Sequence, residues 1–435
     1  MGSNYIEMRL EDCMDAIIDY RGKTPKKVDN GIPLITAKII KNGRIQEVSE
    51  FIAIDDYDNW MVRGLPLEGD VVLTTEAPLG EVAQLDARKV ALAQRVITLR
   101  GKKGILENDY LLYLLQSSFV QNQLDGRASG STVTGIKQSE LREIILRLPP
   151  TTLQKSISHQ LKCLDKKIDL NNKINQTLEQ MAQTLFKSWF VDFDPVIDNA
   201  LDSGNSIPEA LQSRAELRQK VRNSADFKPL PADIRTLFPA EFEETELGWV
   251  PKGWVTNRLE NILELAYGKA LKKTERTNGD YPVYGSGGVD GTHNEYLVKG
   301  PGIIVGRKGT VGSLHWENKN FYPIDTVFFV KPKEYYSLVY CYQLLKTLGL
   351  ENMNTDAAVP GLNRNNAYRL EVVTPTQSII TKFTNIIQTI QYKMDSNHNE
   401  TENLTALRDT LLPKLISGEL SLEDLPDLVT QTEPA

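Results

Sequence analysis

The sequence predicts an α+β protein made of two related globular domains, each followed by one long helix. Three observations predict it. Short words recur in the same order in both halves of the 435-residue chain. Each half ends in a stretch whose apolar residues step by three and four, the spacing of a helical seam. Between the halves lies an acidic, proline-containing segment that follows neither pattern.

The repeat begins with Arg9-Leu10-Glu11-Asp12, echoed by Arg258-Leu259-Glu260-Asn261, and continues with Gly31-Ile32-Pro33-Leu34, loosely echoed by Asp280-Tyr281-Pro282-Val283. Glu68-Gly69-Asp70-Val71-Val72-Leu73, leading to Leu79-Gly80-Glu81-Val82, resembles Lys299-Gly300-Pro301-Gly302-Ile303-Ile304-Val305, leading to Gly309-Thr310-Val311-Gly312. Both read as a turn, a buried strand and a second strand reached through a glycine turn. Val133-Thr134-Gly135-Ile136 then matches Val359-Pro360-Gly361-Leu362, and Arg147-Leu148-Pro149 matches Val373-Thr374-Pro375, both at an offset of 226 residues. Five pairs in one order predict two domains of one type.

After Pro150, Ile157, Leu161, Leu164 and Ile168 form a coiled-coil seam. Asn171 and Asn175 interrupt it, and Ile174, Leu178, Met181, Leu185 and Trp189 resume one position out of register, as a stutter does. After Pro375 the pattern recurs in Ile380, Phe383, Ile387, Ile390 and Met394, breaks at Asn397 and Thr401, and continues through Leu404, Leu407 and Leu411. Each helix should run near 38 residues, against an average of about a dozen, and reach roughly 55–60 Å. One core helix per domain is the alternative. Polar middles suit two such helices to each other, because a buried Asn fixes register at a cost in stability.

These signals divide the chain into a first domain (1–150), a first helix (151–191), a connector (192–250), a second domain (251–374), a second helix (375–420) and a tail (421–435). The connector carries the helical piece Glu209 to Val221 and is expected to connect or wrap. The net charge of −7 argues at first against nucleic acid. By segment, however, the connector holds −6 and residues 376–435 hold −5, whereas 151–191 and 251–375 each carry +3. A 40% hydrophobic content without an apolar run of about 18 residues predicts a protein that is not in a membrane. The start, Met1-Gly2-Ser3-Asn4-Tyr5, lacks a secretory pattern, so cytoplasm is expected. Cys13, Cys163 and Cys341 are far apart and read as reduced structural thiols.

Catalytic signatures are missing. Gly306-Arg307-Lys308-Gly309-Thr310 has the wrong spacing for a phosphate loop, and Gly285-Ser286-Gly287-Gly288-Val289-Asp290 lacks the third glycine of a dinucleotide fingerprint. His159, His293, His315 and His398 are scattered, with no metal-ligand spacing. There is no Asn-Pro-Pro-aromatic word of the amino-methyltransferase kind. No catalytic, cofactor-binding or metal-binding residue is therefore assigned.

Several longer words resemble one family. Leu148-Pro149-Pro150 opens the first helix, and Phe186-Lys187-Ser188-Trp189-Phe190-Val191-Asp192-Phe193-Asp194-Pro195 closes it. The connector ends in Glu246-Leu247-Gly248-Trp249-Val250-Pro251-Lys252-Gly253-Trp254, and the second helix in Leu411-Leu412-Pro413-Lys414-Leu415-Ile416-Ser417-Gly418-Glu419-Leu420. Over almost its whole length the chain resembles the specificity subunit of type I restriction–modification systems. The resemblance implies that each domain is a target-recognition domain reading one half-site of double-stranded DNA, and that the two helices pair as an antiparallel coiled coil setting the half-site spacing. It implies two modification subunits as partners, which would bring S-adenosylmethionine and the methyl-transfer site, and restriction or motor subunits beside them. This chain would be non-catalytic and hold no cofactor. Two different heads imply an asymmetric two-part target, with half-sites separated by turns of about 34–36 Å.

DNA-contacting residues are expected where cations, glycines and hydroxyls cluster, because phosphates take Lys and Arg while base edges take bidentate side chains. In the first domain these are Lys23, Lys26 and Lys27, Thr74 and Thr75, and Arg127, Ser129 and Lys137 around the glycine-serine loop 126–132. In the second they are Lys269, Lys272, Lys273, Ser286, Arg307, Lys308 and Arg364. Thr74-Thr75-Glu76 and Gly306-Arg307-Lys308 occupy the same place in the repeat with different chemistry. Trp189, Phe190 and Phe193 fit a core better than a docking patch, and Lys162, Lys166, Lys167 and Lys173 fit a solvated face better than a DNA-facing one. The rival readings are a coiled-coil scaffold without DNA specificity and a stand-alone methyltransferase or nuclease.

Overall fold

The structure is a computed structural model that describes residues 5–20, 24–130, 134–353 and 361–422. The chain forms two compact units, residues 1–170 with 400–435, and residues 171–399.

In the first unit, an all-antiparallel sheet orders its strands Met14–Asp19, Val96–Gly101, Val71–Thr75 and Leu79–Gln84. Val71, Val72 and Leu73 are fully buried, so this strand reads as a continuous apolar run. The first strand of the domain, Ile6–Arg9, pairs antiparallel with the last, Ile145–Leu148, and closes the domain on itself. A second sheet orders Ala91–Leu92, Ile32–Ile35, Phe51–Ile52 and Lys27–Val28.

The second unit repeats the plan. Its main sheet orders Leu263–Tyr267, Val327–Pro332, Gly302–Gly306 and Leu314–Glu317, again antiparallel, and Val255–Arg258 pairs with Glu371–Thr374 to close the domain. The order first, last, second, third holds in both sheets. The fold class is α+β, as the alternation of words predicts.

Thr151–Phe190 is one helix of 40 residues and Gln377–Ser417 one of 41, about 60 Å each by the helical rise. They pair antiparallel within each unit. In the first, Asp165 meets Arg408 at 2.9 Å and Lys167 meets Glu400 at 3.2 Å. In the second, Asn175 Nδ2 donates to Met394 O at 3.0 Å, Asn397 Nδ2 donates to Asn175 Oδ1 at 2.8 Å, and Phe186 packs on Phe383. Asn171 and Asn397 are buried in this seam, so the polar interruptions in the apolar pattern are matched to each other across the pair. Trp189, Phe190 and Phe193 are buried in the core of the second unit, Trp189 and Phe190 against Phe383.

Residues 192–250, expected to connect or wrap, are folded into the second unit. Val196, Ile234 and Phe238 enter its core. Asp194, Asp198 and Asp202 lie four apart on the helix Asp194–Ser203, and Arg214, Arg218 and Arg222 lie four apart on Gln212–Arg222. They meet rung by rung: Arg214 with Asp194, Arg218 with Asp198, Arg222 with Asp202. The ladder pairs three of the segment's twelve acidic residues, with arginines already counted in its net charge of −6.

Candidate nucleic-acid interface

At the end of the buried strand Val71–Thr75, Thr75 N donates to Arg95 O at 3.0 Å, and Ile136 N donates to Thr75 O at 3.0 Å. Glu76 and Gly135 then pair as an antiparallel bridge. A Cβ on Gly135 would lie 3.0 Å from that of Glu76 and 3.1 Å from Thr75 O, which is why glycine sits there. In the second unit Arg307 N donates to Thr326 O at 2.9 Å, Leu362 N donates to Arg307 O at 2.8 Å, and Lys308 pairs with Gly361. The two turns share these main-chain bonds and the bridge to a glycine.

What each turn carries differs. In the first domain Thr74 and Thr75 are buried, and Thr74 Oγ1 accepts from Glu81 N at 2.9 Å, so the side chain reaching the surface is Glu76, ion-paired with Arg95 at 2.8 Å. Arg127 pairs with Glu140 at 3.4 Å, Ser129 exchanges two main-chain hydrogen bonds with Gly135, and Lys137 is exposed. Lys26 is exposed and Lys27 pairs with Glu50 at 2.8 Å; Lys23 lies outside the described residues, as do Ser131 and Thr132. A recess lined by Thr24, Lys27, Lys38, Ala77, Gln94 and Arg95 joins the lysine turn to the 75–77 turn. Lys38 and Arg95 line this recess although neither sits in a cationic cluster along the chain.

In the second domain the guanidiniums of Arg307 and Arg364 lie over the same ring, that of Tyr267, at 5.5 and 4.7 Å from its centroid. Arg307 Nε also donates to Asp325 O at 3.0 Å. Lys308 and Lys269 are exposed, and Ser286 Oγ accepts from Thr310 N at 3.4 Å. Lys272 and Lys273 engage local acids, Glu275 at 3.7 Å and Asp290 at 2.9 Å. The Asp290 carboxyl is held below its ordinary range chiefly by the Lys273 hydrogen bond, against some desolvation and with help from Arg276. Tyr267 was missed by sequence reasoning; its partners come from three separate chain segments, so no local word marks it.

Of the lysines on the first helix, Lys162 donates to Asp109 Oδ1 at 2.7 Å and Lys167 pairs with Glu400, while Lys166 and Lys173 are exposed. Burial pushes the Cys13 thiol up to about 11 and that of Cys341 to about 12, far from a thiolate nucleophile at neutral pH. Among the described residues no group of three or more His, Cys, Asp or Glu is placed to hold a metal ion, and no helix is long and apolar enough to cross a membrane.

The family model described as the type I restriction modification DNA specificity domain matches residues 3–180 and 251–405, once in each half. Among curated proteins, the type I restriction enzyme HindI specificity subunit of Haemophilus influenzae is 27% identical over 380 residues, covering 77% of this chain and 82% of that protein. The MjaIX specificity subunit of Methanocaldococcus jannaschii is 26% identical over 373 residues, covering 82% and 79%. Among solved structures, the type I restriction–modification S subunit of M. genitalium shares the fold with a TM-score of 0.58 at 18% identity, covering 95% and 96%.

Proposed function

Because this chain belongs to the type I restriction–modification DNA specificity family, we propose that its two domains each read one half of an asymmetric two-part DNA target. The observation that carries this reading is the pair of matching turns. The same main-chain socket presents Glu76 in one domain and Lys308 in the other, a reversal of charge at one position of one fold. Heads that share a scaffold and differ in what they present suit two different half-sites, since discrimination comes from side chains at base edges.

The helices, each unbroken over about 60 Å by rise, are the parts that set half-site separation. The chain itself is non-catalytic and cytoplasmic. Methyl transfer from S-adenosylmethionine belongs to modification subunits, of which two bind this chain, and cleavage and translocation belong to restriction subunits.

The test is to co-express the chain with its genomic neighbours, purify what accompanies it and map DNA methylation by single-molecule sequencing. An asymmetric two-part motif that vanishes when this chain is omitted is the expected result. If no partner co-purifies and no motif appears, the proposal fails and a scaffold role replaces it. Methylation by the purified chain alone would make it an enzyme.

A further inference from the structure

We propose that Tyr267, Arg307 and Arg364 form a guanine-reading element of the second domain, with Tyr267 as the shared plate on which both guanidiniums are held. This rests on the reading that each domain recognises one half-site, and it names the residues and the base for one of them.

Tyr267 ends its strand half exposed, and both guanidiniums lie within the roughly 6 Å at which a cation is held by a ring face. Each has a second ring as well. Arg364 lies 5.7 Å from Tyr368, whose hydroxyl accepts from Leu265 N at 2.9 Å and is thereby fixed. Arg307 lies 5.9 Å from Phe328, which is paired with Tyr267 across the strands, ring centroids 5.0 Å apart. Surface arginines normally sample many rotamers and lose that freedom on binding. Here ring contacts and the bond to Asp325 O have restricted them beforehand.

Several other cations of these domains pair with carboxylates, among them Arg127, Lys272, Lys273 and Arg276, whereas Lys26, Lys137, Lys269 and Lys308 are exposed. Among the described residues neither Arg307 nor Arg364 meets a carboxylate, and Arg364 Nε is buried without a hydrogen-bond partner. Arg307 Nε and Nη2 both donate to Asp325 O, which leaves Nη1 and the second Nη2 hydrogen, and a planar fork of guanidinium donors anchored at aromatic rings matches the O6 and N7 acceptors that guanine alone presents together in the major groove. Lysine would supply the charge without the fork.

The first domain lacks the element. Strand pairing places Asp19 opposite Ile97 where Tyr267 stands opposite Phe328, Thr75 occupies the socket of Arg307, and Gln138 opens the short helix three residues after Gly135 as Arg364 does after Gly361. The geometry is therefore specific to one head.

The experiment uses the complex of this chain with its modification subunits and compares methylation motifs of the wild type with Arg364→Lys, Tyr267→Leu and Arg364→Gln. One wild-type half-site should contain a G·C pair. Arg364→Lys and Tyr267→Leu should relax that base, with methylation at the native site falling roughly 5- to 150-fold and the other half-site still read. Arg364→Gln should move the preference from guanine toward adenine, which a folding defect cannot do. The inference is overturned by half-sites without a G·C pair, by variants that keep the wild-type motif, or by a Lys variant that loses both half-sites together. A wild-type complex with no two-part motif would sink the half-site reading itself, and this inference with it.

Discussion

Arg218 and Asp198 are joined by two hydrogen bonds in a fork, Nε to Oδ1 at 2.9 Å and Nη2 to Oδ2 at 2.6 Å. They are the middle rung of the ladder that folds residues 192–250 onto the second unit, and both side chains are largely withdrawn from solvent, 17% and 7% exposed. Replacing Arg218 with alanine leaves a buried carboxylate facing Arg222 at 3.9 Å and little else. The expected loss is about 3 kcal/mol, read as a lower denaturant midpoint of the purified chain. Asp198→Ala combined with Arg218→Ala should recover part of it; a double variant no better than the single would remove the ladder from the account.

Asp395 is the opposite case. Burial pushes its carboxyl above the ordinary range, reinforced by Glu317, against hydrogen bonds from Gln391 Nε2 at 2.9 Å and Trp316 Nε1 at 3.2 Å and the charge of His398. A carboxyl whose folded pKa is raised favours folding while protonated, below its unfolded pKa near 4, and that contribution is lost as pH rises through the folded value. Asp395→Asn should therefore stabilise the protein at pH 7, with the gain shrinking as the pH approaches 4. Unfolding midpoints of both proteins across this range check it, and a gain that does not vary with pH counts against it.

The asparagine seam makes a two-sided prediction. Asn397→Ala strands Asn175 Oδ1 inside the helix pair and should cost about 1–3 kcal/mol. Replacing Asn171, Asn175 and Asn397 together with leucine should raise thermal stability above wild type while loosening helix register, because buried polar groups specify pairing at the expense of strength. Cysteine cross-linking of adjacent registers reports the second effect.

Gly306 ends the strand that leads into the Arg307 turn, and a Cβ there would lie 2.0 Å from Thr310 O and 2.3 Å from Ser313 Oγ. The backbone must move to accept Gly306→Ala, at about 1–3 kcal/mol. The methylation motif of the variant complex should lose definition in one half-site only. Equal damage to both halves would show that the turn is not a local reading element.

Deleting one heptad from each long helix should shorten each by about 10 Å, close to three base pairs of duplex. The native spacer should no longer be methylated, whereas contacts within each half-site survive in footprints. An unchanged spacer preference would mean that the helices do not set the distance.

Much of this architecture was readable in the chain because it rests on periodicity. Three-four spacing marks both long helices, and the offset of 226 residues that aligns Gly135 with Gly361 and Leu148 with Thr374 also aligns the bridging and closing positions of the two domains. How closely the 192–250 segment is held does not follow from its composition, although Asp194, Asp198 and Asp202 and then Arg214, Arg218 and Arg222 carry the spacing of two helix faces. An acidic total hides such a ladder; charge positions reveal it. The cluster on Tyr267 could not be found that way, since its three residues come from a strand end, a turn and a short helix with unrelated neighbours. Burial likewise set Thr74 and Thr75 apart from Glu76, a distinction that a run of three polar residues does not announce.

The turns after Leu73 and Val305 share one fastening made of peptide groups, Ile136 N to Thr75 O and Leu362 N to Arg307 O, while their side-chain bonds differ. A clasp made of backbone is indifferent to which side chains it displays. Inheritance can then retool such a protein by single substitutions, exchanging an acid for a lysine on an unchanged mount without first passing through an unfolded ancestor.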